Sequence, residues 1–281
     1  MVEWPSEMPV RAPTSRGTGD AGDRLADAIG RACRFVGEVL RGEEWFAELD
    51  GDPPEWDLLL LTGSFTRGLG DRLSDLDLFL VLPRSVERRR NLAPVHAYQF
   101  GDGVVEISKL STEKLLNDAC DKDGLYLWHR AVVIASRSPT AEAALRLASQ
   151  IEPEELRDRL WTCYALYEIY SDHLEKLDAR GEPLSFSICL AENIKLLTNV
   201  VLSSHGRFPE YKWSGRELMT VAPLVWQELT DLAAERDRTA ALIKNRALRR
   251  HFTAVLQRYF TGEELRTWDR CNLHRLRFQL P

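Results

Sequence analysis

Residues 63–81 read GSFTRGLGDRLSDLDLFLV, and the second half of this stretch decides how the rest of the chain is read. Leu76, Leu78, Leu80 and Val81 mark a strand that Pro83 stops, yet Asp75 and Asp77 interrupt it two residues apart. In a strand, residues i and i+2 face the same side, so both carboxylates project together, roughly 6–7 Å apart at the backbone. Unpaired carboxylates among apolar neighbours are costly, and the pattern calls for a compensating cation. The spacing suits a shared divalent cation, or two of them about 4 Å apart. An all-oxygen donor set favours Mg²⁺ over a soft metal. Glu106, the lone acid in GVVEISKL just after a hairpin turn, is the expected third carboxylate.

Upstream, Gly63 and Ser64 follow directly on the apolar strand WDLLLLTG. A tight turn there presents backbone N–H groups to an anion, and a short helix starting near Ser64 adds a favourable dipole. Gly63 lets the backbone come close to phosphate, and the Ser64 hydroxyl adds a hydrogen bond. Arg67, three residues past Ser64, has two readings, a triphosphate contact or a surface charge; Arg72 has the same two.

The rest of the chain supplies the frame. Residues 1–20 are rich in Pro, Gly, Thr and Arg without periodicity and read as a loose tail. Leu25, Ile29, Cys33, Val36 and Leu40 recur at helical spacing over 22–40. VHAYQFGDGVVEISKL reads as a hairpin around Gly101, Asp102 and Gly103. One helix and about four strands therefore precede residue 112. Beyond it the pattern is almost wholly helical, with helices predicted over 112–120, 122–131, 140–149, 153–180, 185–204, 215–235, 237–260 and 262–270. The order implies an α+β chain: a mixed-sheet domain over 21–120 and an all-helical domain over 121–281.

Composition narrows the classes. The 281 residues are 44% hydrophobic and 28% charged, as in a globular protein of two domains. No unbroken run of about 18 apolar residues is seen, so no membrane span is expected, and the first residues lack a signal-peptide pattern. Five scattered cysteines without a CxxC pair argue against zinc and fit a reducing cytoplasm. A net charge of −6 speaks against broad nucleic-acid binding.

The pair GS, nine residues, the run SDLD on a strand and a later strand carboxylate together resemble the polymerase-β-type nucleotidyltransferase superfamily. The layout of a sheet domain followed by helices is similar to that of antibiotic-modifying adenylyltransferases acting on aminoglycosides or lincosamides. The resemblance implies that a nucleoside triphosphate, ATP or another, lies on Gly63 and Ser64, with Ser74 of the same motif as a further nucleotide contact. It implies that Asp75 and Asp77 hold Mg²⁺, two ions in the fuller form, and that a substrate hydroxyl attacks the α-phosphorus. Glu106 is then a third metal ligand or the base that deprotonates the acceptor. If Glu106 is a ligand, Glu168 or Glu192 is the expected base.

The helical half offers further candidates. Glu192, Lys195 and Asn199 share a face by their i, i+3, i+7 spacing, a solvated stripe or one lining a cleft, with Lys195 on phosphate and Glu192 on the acceptor. Lys212 and Trp213 offer a phosphate contact and a stacking surface, and Glu168 sits among Trp161, Tyr164 and Tyr167. The expected acceptor is a small, polar, hydroxylated molecule taken up by a monomer or homodimer, with neither membrane nor nucleic acid as partner. A competing reading rests on Arg246 and His251, whose Arg-x4-His spacing resembles HEPN-type RNases. It would pair the transferase with a protein or tRNA acceptor, in a toxin–antitoxin arrangement.

Overall fold

The computed structural model describes residues 19–90, 93–121, 125–208 and 212–265, with the side chains of 19–21 and 119–121 left aside. It divides into two compact units, residues 1–150 and 151–281. The predicted tail over 1–20 lies almost wholly outside the described residues.

The first unit is built on a five-stranded mixed sheet in the order β3-β4-β2-β1-β5. Its strands are β1 (Leu58–Leu61), β2 (Leu76–Leu82), β3 (Val95–Phe100), β4 (Gly103–Ser111) and β5 (Val132–Ser136). Only β2 and β4 run parallel; every other pair is antiparallel. β1 is four leucines, all buried, because the sheet is covered on both faces and a central strand then needs no polar side. Helix α1 (Gly19–Glu38) covers one face, packing Ala28, Ala32, Phe35 and Val36 against Leu76, Leu78, Leu80 and Ile107. Short α2 (Glu44–Ala47) completes this layer through Phe46, after a 3-10 turn at Leu40–Gly42. The opposite face carries Leu58, Leu60 and Val81 against Leu115, Trp128, Ala141, Ala144 and Leu145. Those residues belong to α5 (Thr112–Asp121), α6 (Leu125–Trp128) and α7 (Pro139–Ala148). α3 (Gly63–Thr66) and α4 (Arg84–Arg90) are single turns at the ends of β1 and β2.

Two features depart from the sequence reading. The segment beyond 112 is not wholly helical: α6 covers only Leu125–Trp128 of the helix predicted over 122–131 (residues 122–124 lie outside the described residues), and β5 follows. VVIAS is a short β-branched run at the sheet edge, where Val133 stays exposed, so period alone does not reveal it. β5 returns to β1 and α7 to the second face, so the first compact unit runs on to residue 150 rather than to 120.

The second unit is helical: α8 (Pro153–Ala179), α9 (Pro183–Ser203), α10 (Ser214–Val221), α11 (Pro223–Ala233) and α12 (Arg238–Leu256). α8 turns into α9 at Gly181, whose φ of +71° is the left-handed cap that glycine favours. The single helix predicted over 215–235 is two, because Pro223 has no N–H to continue α10 and instead opens α11. A buried polar knot joins α8, α9 and α12. Asn193 Nδ2 donates to Ser171 Oγ (3.1 Å) and Asn245 Oδ1 (3.1 Å), Asn245 Nδ2 donates to Ser171 Oγ (3.0 Å), and the Tyr167 hydroxyl donates to the Asn245 carbonyl. Such groups fix which helices meet, since any slip leaves a buried amide unpaired. The absence of a long apolar run does not exclude a span-like helix after all. By length and composition α9 would cross a bilayer, and among the described residues it is the one helix that would. Glu192 and Lys195 are its only charges, and ten of its side chains are buried in this helical core.

Candidate active site

The site grows from a cross-strand coincidence at one end of β1, β2 and β4. Asp77 and Glu106 are direct partners in the parallel β2/β4 register, so their side chains leave the same face on adjacent strands, about 4.8 Å apart at the backbone. That face is the one away from α1, since Leu76, Leu78 and Ile107 take the other. Asp77 and Glu106 are half-buried; Asp75 is exposed and stands just before β2 begins at Leu76. The third strand contributes Thr62, whose N–H donates to the Asp77 carbonyl (2.9 Å) and which lies opposite Asp77 in the antiparallel β1/β2 register.

Gly63 explains the first residue of the motif. Its φ is +78°, and a Cβ placed on it would lie 1.9 Å from Asp77 Oδ2 and 2.8 Å from Asp77 Cγ. The Asp77 carboxylate therefore rests against the Gly63 backbone, and only glycine leaves room for it. The single turn α3 starts there, and the loop behind it is clenched onto one oxygen. The carbonyl of buried Ser64 accepts from the amides of Arg67 (3.2 Å), Leu69 (2.9 Å) and Gly70 (3.1 Å). Phe65 closes over Gly70, where a Cβ would meet its ring at 2.4 Å, and Arg24 of α1 donates to the Gly70 carbonyl (3.3 Å). Arg67 Nη2 donates to the Tyr126 carbonyl, tying the loop to α6. The Ser74 hydroxyl donates to Asp71 Oδ1 (3.1 Å) and accepts from the Asp71 amide (3.0 Å). Arg67 and Ser74 thus already hold the loop that delivers Asp75.

The donor set of Asp75, Asp77 and Glu106 is hard oxygen, the type that a hard divalent cation takes. Among the described residues no three His, Cys, Asp or Glu side chains close around a common point.

The candidates of the helical half lie within the second unit. Glu168 is gripped by Arg249, which donates from Nε to Oε1 (2.8 Å) and from Nη2 to Oε2 (2.5 Å), so its charge is balanced. Glu192 and Lys195 form a loose pair (3.4 Å) on the outer side of α9. Lys212 is exposed, and the Arg216 guanidinium lies 5.1 Å from the Trp213 ring centroid. Arg246 is bound to Glu175 of α8, whereas His251 Nε2 meets Glu228 Oε2 of α11 (2.8 Å). Five residues apart on a helix, these two point about 140° from one another, and each has its own acid. Sequence reasoning missed Thr62. Its hydroxyl is buried with no hydrogen-bond partner among the described residues, and its only sequence signal was its place between a leucine run and a glycine.

Residues 57–165 match the family model described as "Nucleotidyltransferase domain". No curated protein matches the chain. Among solved structures it is similar to a nucleotidyltransferase-like protein from Exiguobacterium sibiricum 255-15, at 11% identity with a TM-score of 0.43 over 82% of this chain and 74% of that one. The acids and the glycine turn lie inside the matched segment, so residues 57–165 are similar to a nucleotidyltransferase domain at the positions that build this site.

Proposed function

We propose that this chain transfers a nucleoside monophosphate, AMP from ATP, to a hydroxyl of a small polar molecule and releases pyrophosphate. The observation that carries the reading is the in-register pair Asp77 and Glu106 with the Asp77 carboxylate seated on Gly63. Asp75 and Asp77 would hold Mg²⁺ together with phosphate oxygens, and the ion supplies neutralisation of the triphosphate charge. Gly63 and Ser64 present the backbone to the phosphates, and the clenched loop keeps that turn in place before substrate arrives. Glu106 takes the proton of the acceptor hydroxyl as that oxygen bonds to the α-phosphorus. The α-phosphorus bond to the bridging oxygen breaks, and the electron pair leaves with pyrophosphate.

The acceptor is a cationic, hydroxyl-rich compound of the aminoglycoside type. The chain's net charge of −6 supports it, and so does the ion pairing of Arg246, Arg249 and Arg250, which occupies the densest late basic cluster. Several free phosphate contacts would be needed for RNA. The test offers each of the four nucleoside triphosphates with aminoglycosides, lincosamides, RNA and unfolded protein. The expected product is a small molecule heavier by one nucleoside monophosphate. RNA or protein modified with every small molecule untouched would overturn the acceptor class.

A further inference from the structure

The first unit contains a cleft of about 530 Å³ that Gly63, Asp75, Asp77 and Glu106 do not line, although Ser74 of the loop ahead of Asp75 does. It lies between α1, the loop that carries Arg72, and the β3/β4 hairpin turn. α1 covers the sheet face opposite Asp77 and Glu106, so the cleft and the acids are on different sides.

Three guanidinium groups line it. Arg31 and Arg34 stand one turn apart on α1, and Arg72 comes from the loop. Other arginines of this unit are spent on carboxylates: Arg84 on Glu113, Arg89 on Glu55, Arg90 on Glu48 and Glu55, and Arg137 on Asp50. Arg31, Arg34 and Arg72 form no ion pair among the described residues, although Glu38 and Asp102 line the same cleft. Cations and anions share this space without touching, which leaves room between them for a ligand that carries both kinds of complement. The cationic wall is also built rather than incidental. The Arg31 guanidinium lies 5.8 Å from the Phe65 ring centroid, and Nη2 presses on Gly103, where a Cβ would sit 2.8 Å from it.

We propose that this cleft binds a phosphate monoester of a small hydroxylated molecule. The phosphate lies among Arg31, Arg34 and Arg72, whose N–H forks match its oxygens. Hydroxyls of the same molecule donate to Glu38 and Asp102, which accept only. The volume is that of an ordinary small-molecule site, roughly 300–1,000 Å³. The proposal rests on no part of the transfer mechanism.

The test is a titration of the full chain, ¹⁵N-labelled at glycine, with ribose 5-phosphate, inorganic phosphate and ribose in separate arms. Ribose 5-phosphate is expected to shift the Gly101 and Gly103 amides and leave Gly63 in place. Inorganic phosphate acts on the same amides more weakly, and ribose does not. Arg34→Glu is expected to weaken ribose 5-phosphate at least ~10-fold, a charge-assisted contact being replaced by repulsion, with Mg²⁺–ATP affinity unchanged. Should the reversal impair folding, Arg34→Ala is expected to weaken binding at least ~3-fold. Shifts confined to Gly63, equal binding by the folded variant, or a parallel loss of Mg²⁺–ATP would each overturn a separate phosphate site. Equal response to phosphate and ribose 5-phosphate would overturn the role of Glu38 and Asp102.

Discussion

Replacing Gly63 by alanine separates backbone strain from the seat of the Asp77 carboxylate. At φ +78° an alanine costs about 1–2 kcal/mol for its left-handed backbone alone. Its Cβ would also stand 1.9 Å from Asp77 Oδ2. Restoring an ordinary contact of about 3.5 Å requires the carboxylate to retreat by roughly 1.5 Å, at an off-rotamer cost of about 1 kcal/mol. The expected loss of stability is thus about 2–3 kcal/mol. A misplacement of that size costs a catalytic group about 10²-fold in turnover. A double-mutant cycle with Asp77→Ala isolates the contact, because the truncated side chain no longer collides. In that background Gly63→Ala should cost only the backbone part, about 1–2 kcal/mol, leaving a coupling of about 1 kcal/mol. Urea unfolding of the four proteins and pyrophosphate release by the single variants are the assays. An equal stability cost in both backgrounds, or Gly63→Ala turning over normally, would refute the reasoning.

Three further outcomes are expected. Glu106→Gln should bind Mg²⁺–ATP in calorimetry nearly as the parent does while turnover falls at least ~10²-fold; a matching loss of metal affinity would make Glu106 a ligand rather than the base. Thr62→Val keeps shape and removes a buried hydroxyl without a partner among the described residues. Its stability in urea should hold or rise by up to ~1 kcal/mol, and a loss of that size would show that the hydroxyl is satisfied. Burial pushes the Lys109 ammonium down to about 8, where its Nζ lies 4.0 Å from the Trp45 ring centroid and donates to the Ala93 carbonyl (2.8 Å). Between that value and the unfolded value of about 10.4 the unfolded chain holds a proton that the folded one has lost, so stability gains from Lys109 as pH rises through this window. The stability advantage of Lys109→Met over the parent should accordingly be largest near pH 7 and shrink by pH 10; an advantage independent of pH would contradict the assignment.

How much of this was legible in the sequence depended on what each signal was made of. Asp75, Asp77 and Glu106 stood out because acids in apolar runs break the pattern, and Gly63 because it follows directly on a leucine run; the structure sets Asp77 beside Glu106 through register. β5 was hidden because five β-branched or small residues carry no period that separates strand from buried helix. The break at Pro223 was readable, since its lack of an N–H was in plain view, but amphipathic spacing on both sides masked it. The partners of Glu168, Arg246 and His251 lie more than 20 residues away, and helical spacing holds no information about them. Thr62 and the Arg31, Arg34 and Arg72 cleft are likewise products of strand register and of helix placement.

The central claim is that phosphoryl chemistry occurs at the α-phosphorus on the Asp75 and Asp77 face. Phosphorus NMR of ATP turnover, with Mg²⁺ and an accepting aminoglycoside, tests it most directly when the parent is run beside Asp77→Asn. The account predicts pyrophosphate and a nucleoside monophosphate diester in equal amounts from the parent, and at least ~10²-fold less of both from the variant. ADP with a phosphorylated acceptor, or equal turnover by Asp77→Asn, would contradict it.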